Sequence, residues 1–163
     1  MRYHNITKDD MLNGTGLRVV LWVAGCLHAC KDCHNPVTWD INGGLLFDEA
    51  AKNELFAELS KSYIEGITLS GGDPLHPGHR EEIGILLEEI AKSFPDKNIW
   101  LYTGYSWEDI SSLPYIQYVD TLVDGKFEVE LKDPKIFWRG SSNQKVIDVK
   151  KTLEVGQIVT FNL

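Results

Sequence analysis

Apolar residues fall along this chain in short β-branched runs that alternate with longer stretches of helical spacing. Arg18 to Ala24 (Arg-Val-Val-Leu-Trp-Val-Ala) is apolar at almost every position, which predicts a strand buried on both faces. Asp48 to Tyr63 predicts a helix: Ala51, Leu55, Leu59 and Tyr63 recur every four residues, and Asp48 and Glu49 sit where the helix dipole favours negative charge. Ile67-Thr68-Leu69 predicts a second strand. From about His79 to Ser93, Ile83, Leu86, Leu87 and Ile90, with Phe94 beyond, predict a second helix that Pro95 stops. Asn98 to Tyr102 predicts a third strand. Ser106-Trp107-Glu108-Asp109 has the capping-box form and opens a short third helix. Tyr118 to Val123 predicts a fourth strand, and 145–149 and 157–161 the last ones, with no long helix after 107–113. Residues 1–16 are polar and end in the turn sequence Asn13-Gly14-Thr15-Gly16. Residues 36–44, 132–134 and 139–144 read as irregular.

Strands alternating with helices imply an α/β fold with a parallel sheet and right-handed crossovers. Loops at the carboxyl ends of such strands carry the ligands. Four motifs each directly follow one of the four successive strands: the segment from Gly25, Ser70-Gly71-Gly72-Asp73-Pro74, Thr103-Gly104-Tyr105 and Asp124-Gly125-Lys126. They must therefore share one sheet edge. Four to six strands are too few to close an eight-stranded barrel, so an open parallel sheet forming a partial (β/α) barrel is expected.

The chain has 163 residues, enough for a single domain spanning 1–163 and too few for two comfortable ones. Apolar residues at 43% and charged ones at 25% place it among ordinary globules. A formal net charge of −8 argues against binding nucleic acid or an anionic membrane surface. The first residues carry no apolar signal region, and no run approaches the ~20 apolar residues of a membrane span. Free thiols without a secretion signal point to the reducing cytoplasm.

All three cysteines lie in Gly25-Cys26-Leu27-His28-Ala29-Cys30-Lys31-Asp32-Cys33-His34-Asn35, spaced Cys-x3-Cys-x2-Cys. Thiolates suit iron–sulfur clusters, zinc and copper(I). A cubane cluster normally takes four cysteines; with three, one iron stays open to another ligand, which belongs to chemistry rather than to a pure electron carrier. Three other readings compete. Cysteines can be small buried hydrophobes, although Lys31 and Asp32 between them speak against a core strand. A disulfide would leave an odd thiol. A structural zinc site wants four ligands, and His28 or His34 could be the fourth. The remaining motifs are weak alone. Ser-Gly-Gly-Asp-Pro is a turn in most contexts, Asp124 and Lys126 read as a solvated pair, and Trp138 to Ser142 is a substrate surface or a solvated loop.

Taken in order, Cys26-x3-Cys30-x2-Cys33, Gly71-Gly72-Asp73, Thr103-Gly104-Tyr105, Asp124-Gly125-Lys126 and Arg139-Gly140-Ser141-Ser142-Asn143-Gln144 resemble the radical S-adenosylmethionine (SAM) superfamily. Within it they are similar to the activating proteins of anaerobic ribonucleotide reductase. The resemblance implies that Cys26, Cys30 and Cys33 hold a [4Fe–4S] cluster whose open iron is chelated by SAM. Gly71, Gly72 and Asp73 would take the methionine end, with Asp73 near its amino group. Asp32, Cys33 and His34 would pass along SAM, and Thr103 and Asp124 would contact it more weakly. Reductive cleavage of SAM would yield a radical that makes a glycyl radical on the large subunit of the reductase, with one electron from a donor such as flavodoxin. An activase of another glycyl-radical enzyme, a short radical SAM enzyme acting on a small molecule, and a zinc-binding module without catalysis are the alternatives. Two departures stand out. Asp32 replaces the usual aromatic before the third cysteine, so adenine must be met by backbone or by His34. Gly-Gly-Asp is also one methylene shorter than the superfamily's Gly-Gly-Glu.

Overall fold

A computed structural model describes residues 1–33 and 36–161. In chain order its strands are β1 (Arg2–Asp10), β2 (Arg18–Val23), β3 (Leu45–Leu46), β4 (Gly66–Gly71), β5 (Asn98–Tyr102), β6 (Thr121–Asp124) and β7 (Lys145–Asp148). Its helices are α1 (Glu49–Leu59), α2 (Arg80–Ser93), α3 (Trp107–Ile110) and α4 (Val149–Val155). Among the described residues the strands form one sheet, in the order β3-β1-β2-β4-β5-β6-β7. The outermost strands, β3 and β7, are not neighbours, so the sheet is open. β2, β4, β5 and β6 run parallel. Their carboxyl ends bring the four motif-bearing loops to one edge, as the alternation requires.

The sheet is mixed rather than wholly parallel. β1 pairs antiparallel with β2 and β3, and β7 with β6. β1 lies in the polar stretch for which no strand is expected, because its pattern is poor: only Tyr3 and Ile6 are buried along it, and register shifts interrupt its alternation. α1 stops at Leu59, four residues short of the expected end, and Tyr63 is exposed. The fourth parallel strand starts at Thr121, not Tyr118. Pro114–Tyr118 is a 3-10 turn that Pro114 opens, and it buries Tyr115 and Ile116. The 157–161 segment is not a strand; it follows α4 and makes one bridge, Thr160 to Ile147.

Period-two alternation gives the sheet two different faces. Val19, Leu21, Val23, Ile67, Leu69, Ile99, Leu101, Leu122 and Ile147 share one core cluster with Leu55 and Leu59 of α1 and Ile83, Leu87 and Ile90 of α2. Asp48 caps α1 by accepting from the Ala51 N–H at 2.9 Å. The opposite face carries Arg18, Val20, Trp22, Thr68, Trp100, Tyr102 and Val123, and loops rather than helices cover it. Trp100, Val123 and Val146 form a second cluster there, with Tyr102 and Trp138 packed on it.

Arg18 is fully buried at the start of β2 on this second face. Its guanidinium donates to Thr68 Oγ1 at 2.9 Å, the Thr15 carbonyl at 2.9 Å and the Ile67 carbonyl at 2.9 Å. Trp100 lies 5.5 Å beneath it. Burial pulls its pKa down to about 10. Thr68 Oγ1 in turn donates to the Asn13 carbonyl at 2.6 Å, so this network pins the 13–15 turn over the sheet. Arg18→Met keeps the apolar stem and strands these acceptors. Urea denaturation should find about 3 kcal/mol less stability; an unshifted midpoint would overturn the assignment.

Candidate functional site

Cys26, Cys30 and Cys33 are not joined in a disulfide and are of intermediate exposure. All three line a cavity of about 700 Å³ at the carboxyl edge of the parallel strands. Its floor is the second sheet face, through Trp22, Ser70 and Tyr102; its walls include Gly71, Gly72, Asp73, Thr103, Gly104 and Gly125. Burial pushes the Cys26 and Cys30 thiols up, partly offset by hydrogen bonds from the backbone of His28 to Cys26 and of Phe127 to Cys30. Binding a metal would therefore release their protons, since the ligand is the thiolate.

The cysteine loop leaves β2 through close backbone pairing. The Gly25 N–H donates to the Thr38 carbonyl at 2.6 Å and the Cys26 N–H to the Trp39 carbonyl at 3.1 Å. Ala29 and Asp32 both adopt left-handed backbone (φ 48° and 58°), which folds the loop back on itself at a cost that functional loops commonly carry. Gly71 has φ 126°, and a Cβ there would stand 2.4 Å from the Val23 carbonyl oxygen. At Gly72 it would stand 2.6 Å from the Gly25 carbonyl oxygen. The glycine pair thus lets β4 press against the exit of β2 itself. The Gly72 N–H donates to Val23 at 3.1 Å, and the Asp73 N–H to Gly25 at 2.7 Å.

Asp73 is 2% exposed. Its carboxylate accepts from the Leu75 N–H at 2.9 Å, Thr103 Oγ1 at 2.9 Å, the Gly104 N–H at 2.9 Å and His28 Nε2 at 2.5 Å. The His28 side chain is 7% exposed. Its ring also meets Tyr105 edge to face, with centroids 4.6 Å apart. Asp124 is fully buried and sits beneath the cavity rather than on its wall. It accepts from the Trp107 N–H at 2.9 Å and the Lys145 N–H at 3.1 Å, joining α3 to β7. It is thus not a solvated surface charge. Asp32 is exposed and absent from the cavity wall. His34, expected along SAM and as a possible fourth ligand, lies outside the described residues.

The cavity also takes in residues that the sequence did not single out as ligands: Met11, Leu12, Phe127 and the segment from Pro134 to Gly140. Phe127 could have been found from its place just after Asp124-Gly125-Lys126. The Arg139–Gln144 motif is largely occupied with its own chain. Gln144 Oε1 accepts from the Gly140 N–H at 2.9 Å, Gln144 Nε2 donates to the Gly125 carbonyl at 2.9 Å, and Asn143 Nδ2 to the Lys126 carbonyl at 2.7 Å. The motif therefore holds the Gly125–Lys126 turn in place against the cavity.

A protein from Enterobacteria phage T4, named anaerobic ribonucleoside-triphosphate reductase-activating protein, is 51% identical over 146 residues, 90% of this chain and 93% of its own. Proteins of the same name from Salmonella typhimurium and Escherichia coli are 43% and 42% identical over 150 residues, 90% of this chain and 97% of theirs. The chain belongs to this family of activating proteins. The model of a family described as a 4Fe-4S single cluster domain also matches residues 12–147. That span contains every cavity-lining residue except Met11.

The residues present fit such a cluster. Three thiols on one strained loop face one cavity, and backbone N–H groups already point at two of the sulfurs. Among the described residues no three His, Cys, Asp or Glu side chains converge as on a single ion. Gly71→Ala tests the framework. The new Cβ meets backbone that cannot yield, so chemical denaturation should find at least about 2 kcal/mol less stability. A variant as stable as the parent would refute the close approach.

Proposed function

We propose that this chain is a radical SAM activase that generates a glycyl radical on the large subunit of anaerobic ribonucleotide reductase. One observation carries the reading: the three cysteines and the Gly71–Asp73 turn share one cavity at the carboxyl edge of the parallel strands. Cys26, Cys30 and Cys33 hold a [4Fe–4S] cluster, and the missing fourth thiolate leaves one iron for SAM. Bound there, cluster and SAM supply reductive cleavage of the sulfonium and the hydrogen-abstracting radical; one electron enters from a donor such as flavodoxin.

The chain's own residues bind, orient and exclude water. The Gly71–Asp73 segment receives the methionine end of SAM. Cys33 and the residues beside it pass along SAM, and Thr103 faces the same cavity. Asp124, held below the wall by Trp107 and Lys145, supports that wall from behind. The floor of Trp22 and Tyr102, with Phe127 at the side, supplies the aromatic surface that Asp32 does not. No acid–base residue is required for hydrogen abstraction. The open mixed sheet, with helices against one face and the cavity on the other, is read as a partial barrel of the radical SAM type.

A protein substrate suits the opening. Met11, Leu12 and Phe137 line the cavity yet remain 67%, 82% and 63% exposed. A backbone loop of the reductase entering there covers them and shields the radical. Thiols used as cluster ligands need a reducing compartment, which favours the cytoplasm.

Anaerobic reconstitution decides the reading. The loaded protein should be brown, contain iron and sulfide in equal amounts, and give a reduced-cluster EPR signal that changes on adding SAM. Mixed with the reductase large subunit and a reductant, it should yield a glycyl-radical signal. Cys30→Ala should lose SAM cleavage and most of the iron while keeping the helical circular-dichroism signal. A colourless protein with one zinc, or full activity in that variant, ends the proposal.

A further inference from the structure

His28 lies midway between Cys26 and Cys30, and its side chain reaches the two other cavity loops. Nε2 meets the Asp73 carboxylate at 2.5 Å. The ring stands against Tyr105. Gly104 passes beneath it so closely that a Cβ there would be 2.4 Å from His28 Cδ2. The side chain is 7% exposed and that of Asp73 is 2% exposed. The Gly-Gly-Asp and Thr-Gly-Tyr turns together thus form a socket for one side chain of the cysteine loop.

Asp73 has no capacity left over. A carboxylate offers about four lone-pair sites. The Leu75 N–H, the Gly104 N–H, the Thr103 hydroxyl and His28 Nε2 fill them. The main chain of Asp73 is equally committed: its N–H donates to the Gly25 carbonyl at 2.7 Å, and its carbonyl accepts from His79 Nε2 at 2.9 Å. A SAM ammonium could reach this carboxylate only by displacing one of these four buried or part-buried donors, which would then be left unpaired.

We infer that His28 and Asp73 form a positioning pair, in which Asp73 sets the cysteine loop through His28 and does not itself meet the ammonium of SAM. The inference rests on the proposed activase reading for its consequence at SAM, and on the hydrogen bonds alone for its consequence at the cysteines. The methionine end of SAM is then received beside the Gly71–Gly72 backbone and not by Asp73. His28 and Asp73 act one step behind it, by holding the Cys26–Cys30 arc at a fixed distance from that backbone.

Two measurements test this, the first on metal-free protein. Iodoacetamide labelling under anaerobic conditions, read cysteine by cysteine by mass spectrometry, reports how often the loop leaves its socket. His28→Ala should label about tenfold faster at Cys26 and Cys30, the factor that corresponds to losing one hydrogen bond of ~1.4 kcal/mol. His28→Gln, which can still donate to Asp73, should recover most of the parental rate. The second measurement titrates SAM into the reduced, reconstituted protein and follows the EPR change. The half-saturating concentration should rise about tenfold in His28→Ala, and the His28→Ala/Asp73→Ala double variant should be no worse than Asp73→Ala alone, as coupled residues require. If Asp73→Ala does not fold, the two His28 variants still decide the matter.

Parental labelling rates in His28→Ala would overturn the pair. So would an unchanged SAM titration in His28→Ala beside a weakened one in Asp73→Ala, because that split identifies Asp73 as a direct ligand. A parent protein whose cluster ignores SAM would sink the activase reading instead, while the labelling comparison would stand or fall on its own.

Discussion

A buried carboxylate must keep its donors, and in this protein the donors of one carboxylate come from three loops. Asp73 takes hydrogen bonds from its own turn, from Thr103 and Gly104 after β5, and from His28 of the cysteine loop. A parallel sheet delivers loops to a common edge but does not fix their mutual spacing. That spacing is fixed here by charge: leaving a buried carboxylate short of a donor costs several kcal/mol, far more than a loop gains by wandering. The glycines serve the same end. They let the exits of β2 and β4 touch backbone to backbone, which brings Asp73 within reach of Gly25.

The two sheet faces divide the labour. One packs Val, Ile and Leu against α1 and α2 and supplies most of the apolar burial. The other carries Arg18, Thr68, Trp100 and Tyr102, and is covered by turns held through hydrogen bonds. A helix laid over that second face would fill the space where the cavity stands. Loop covering leaves room above Trp22 and Tyr102, at a price in buried polar groups that Arg18 and Thr68 settle by satisfying carbonyls of the 13–15 turn. Trp138 adds a second fastening: it holds a left-handed backbone (φ 68°) and packs on Trp100 with centroids 5.6 Å apart.

Elements with clean periodicity were legible in the sequence. β2, α2 and β5 stand within a residue or two of their expected bounds, and Ser106 and Asp109 form the expected capping box. β1 was not legible, because its register shifts erase alternation and only Tyr3 and Ile6 of it are buried. The site was legible as a set of loops, because strand order alone brings them together. The roles within the loops were not. Asp124 looked like a surface charge and is a buried brace; His28 was read only as a possible zinc ligand, and its contacts with Asp73 and Tyr105 were not foreseen. Both have one cause: burial of a polar side chain depends on what folds over it, and local sequence does not encode that.

The residues around the cavity mouth bear on what can enter it. Between 127 and 144, Ser141, Asn143 and Gln144 bind the backbone of residues 125–128 and Trp138 packs on Trp100, while Phe127 and residues of 134–140 line the cavity wall. What reaches the mouth is Phe137, together with Met11 and Leu12 from the opposite turn, all apolar and mostly exposed. A small molecule in the cavity would leave those side chains in water, whereas a protein loop entering there would cover them, because burying apolar surface and excluding water are the same act.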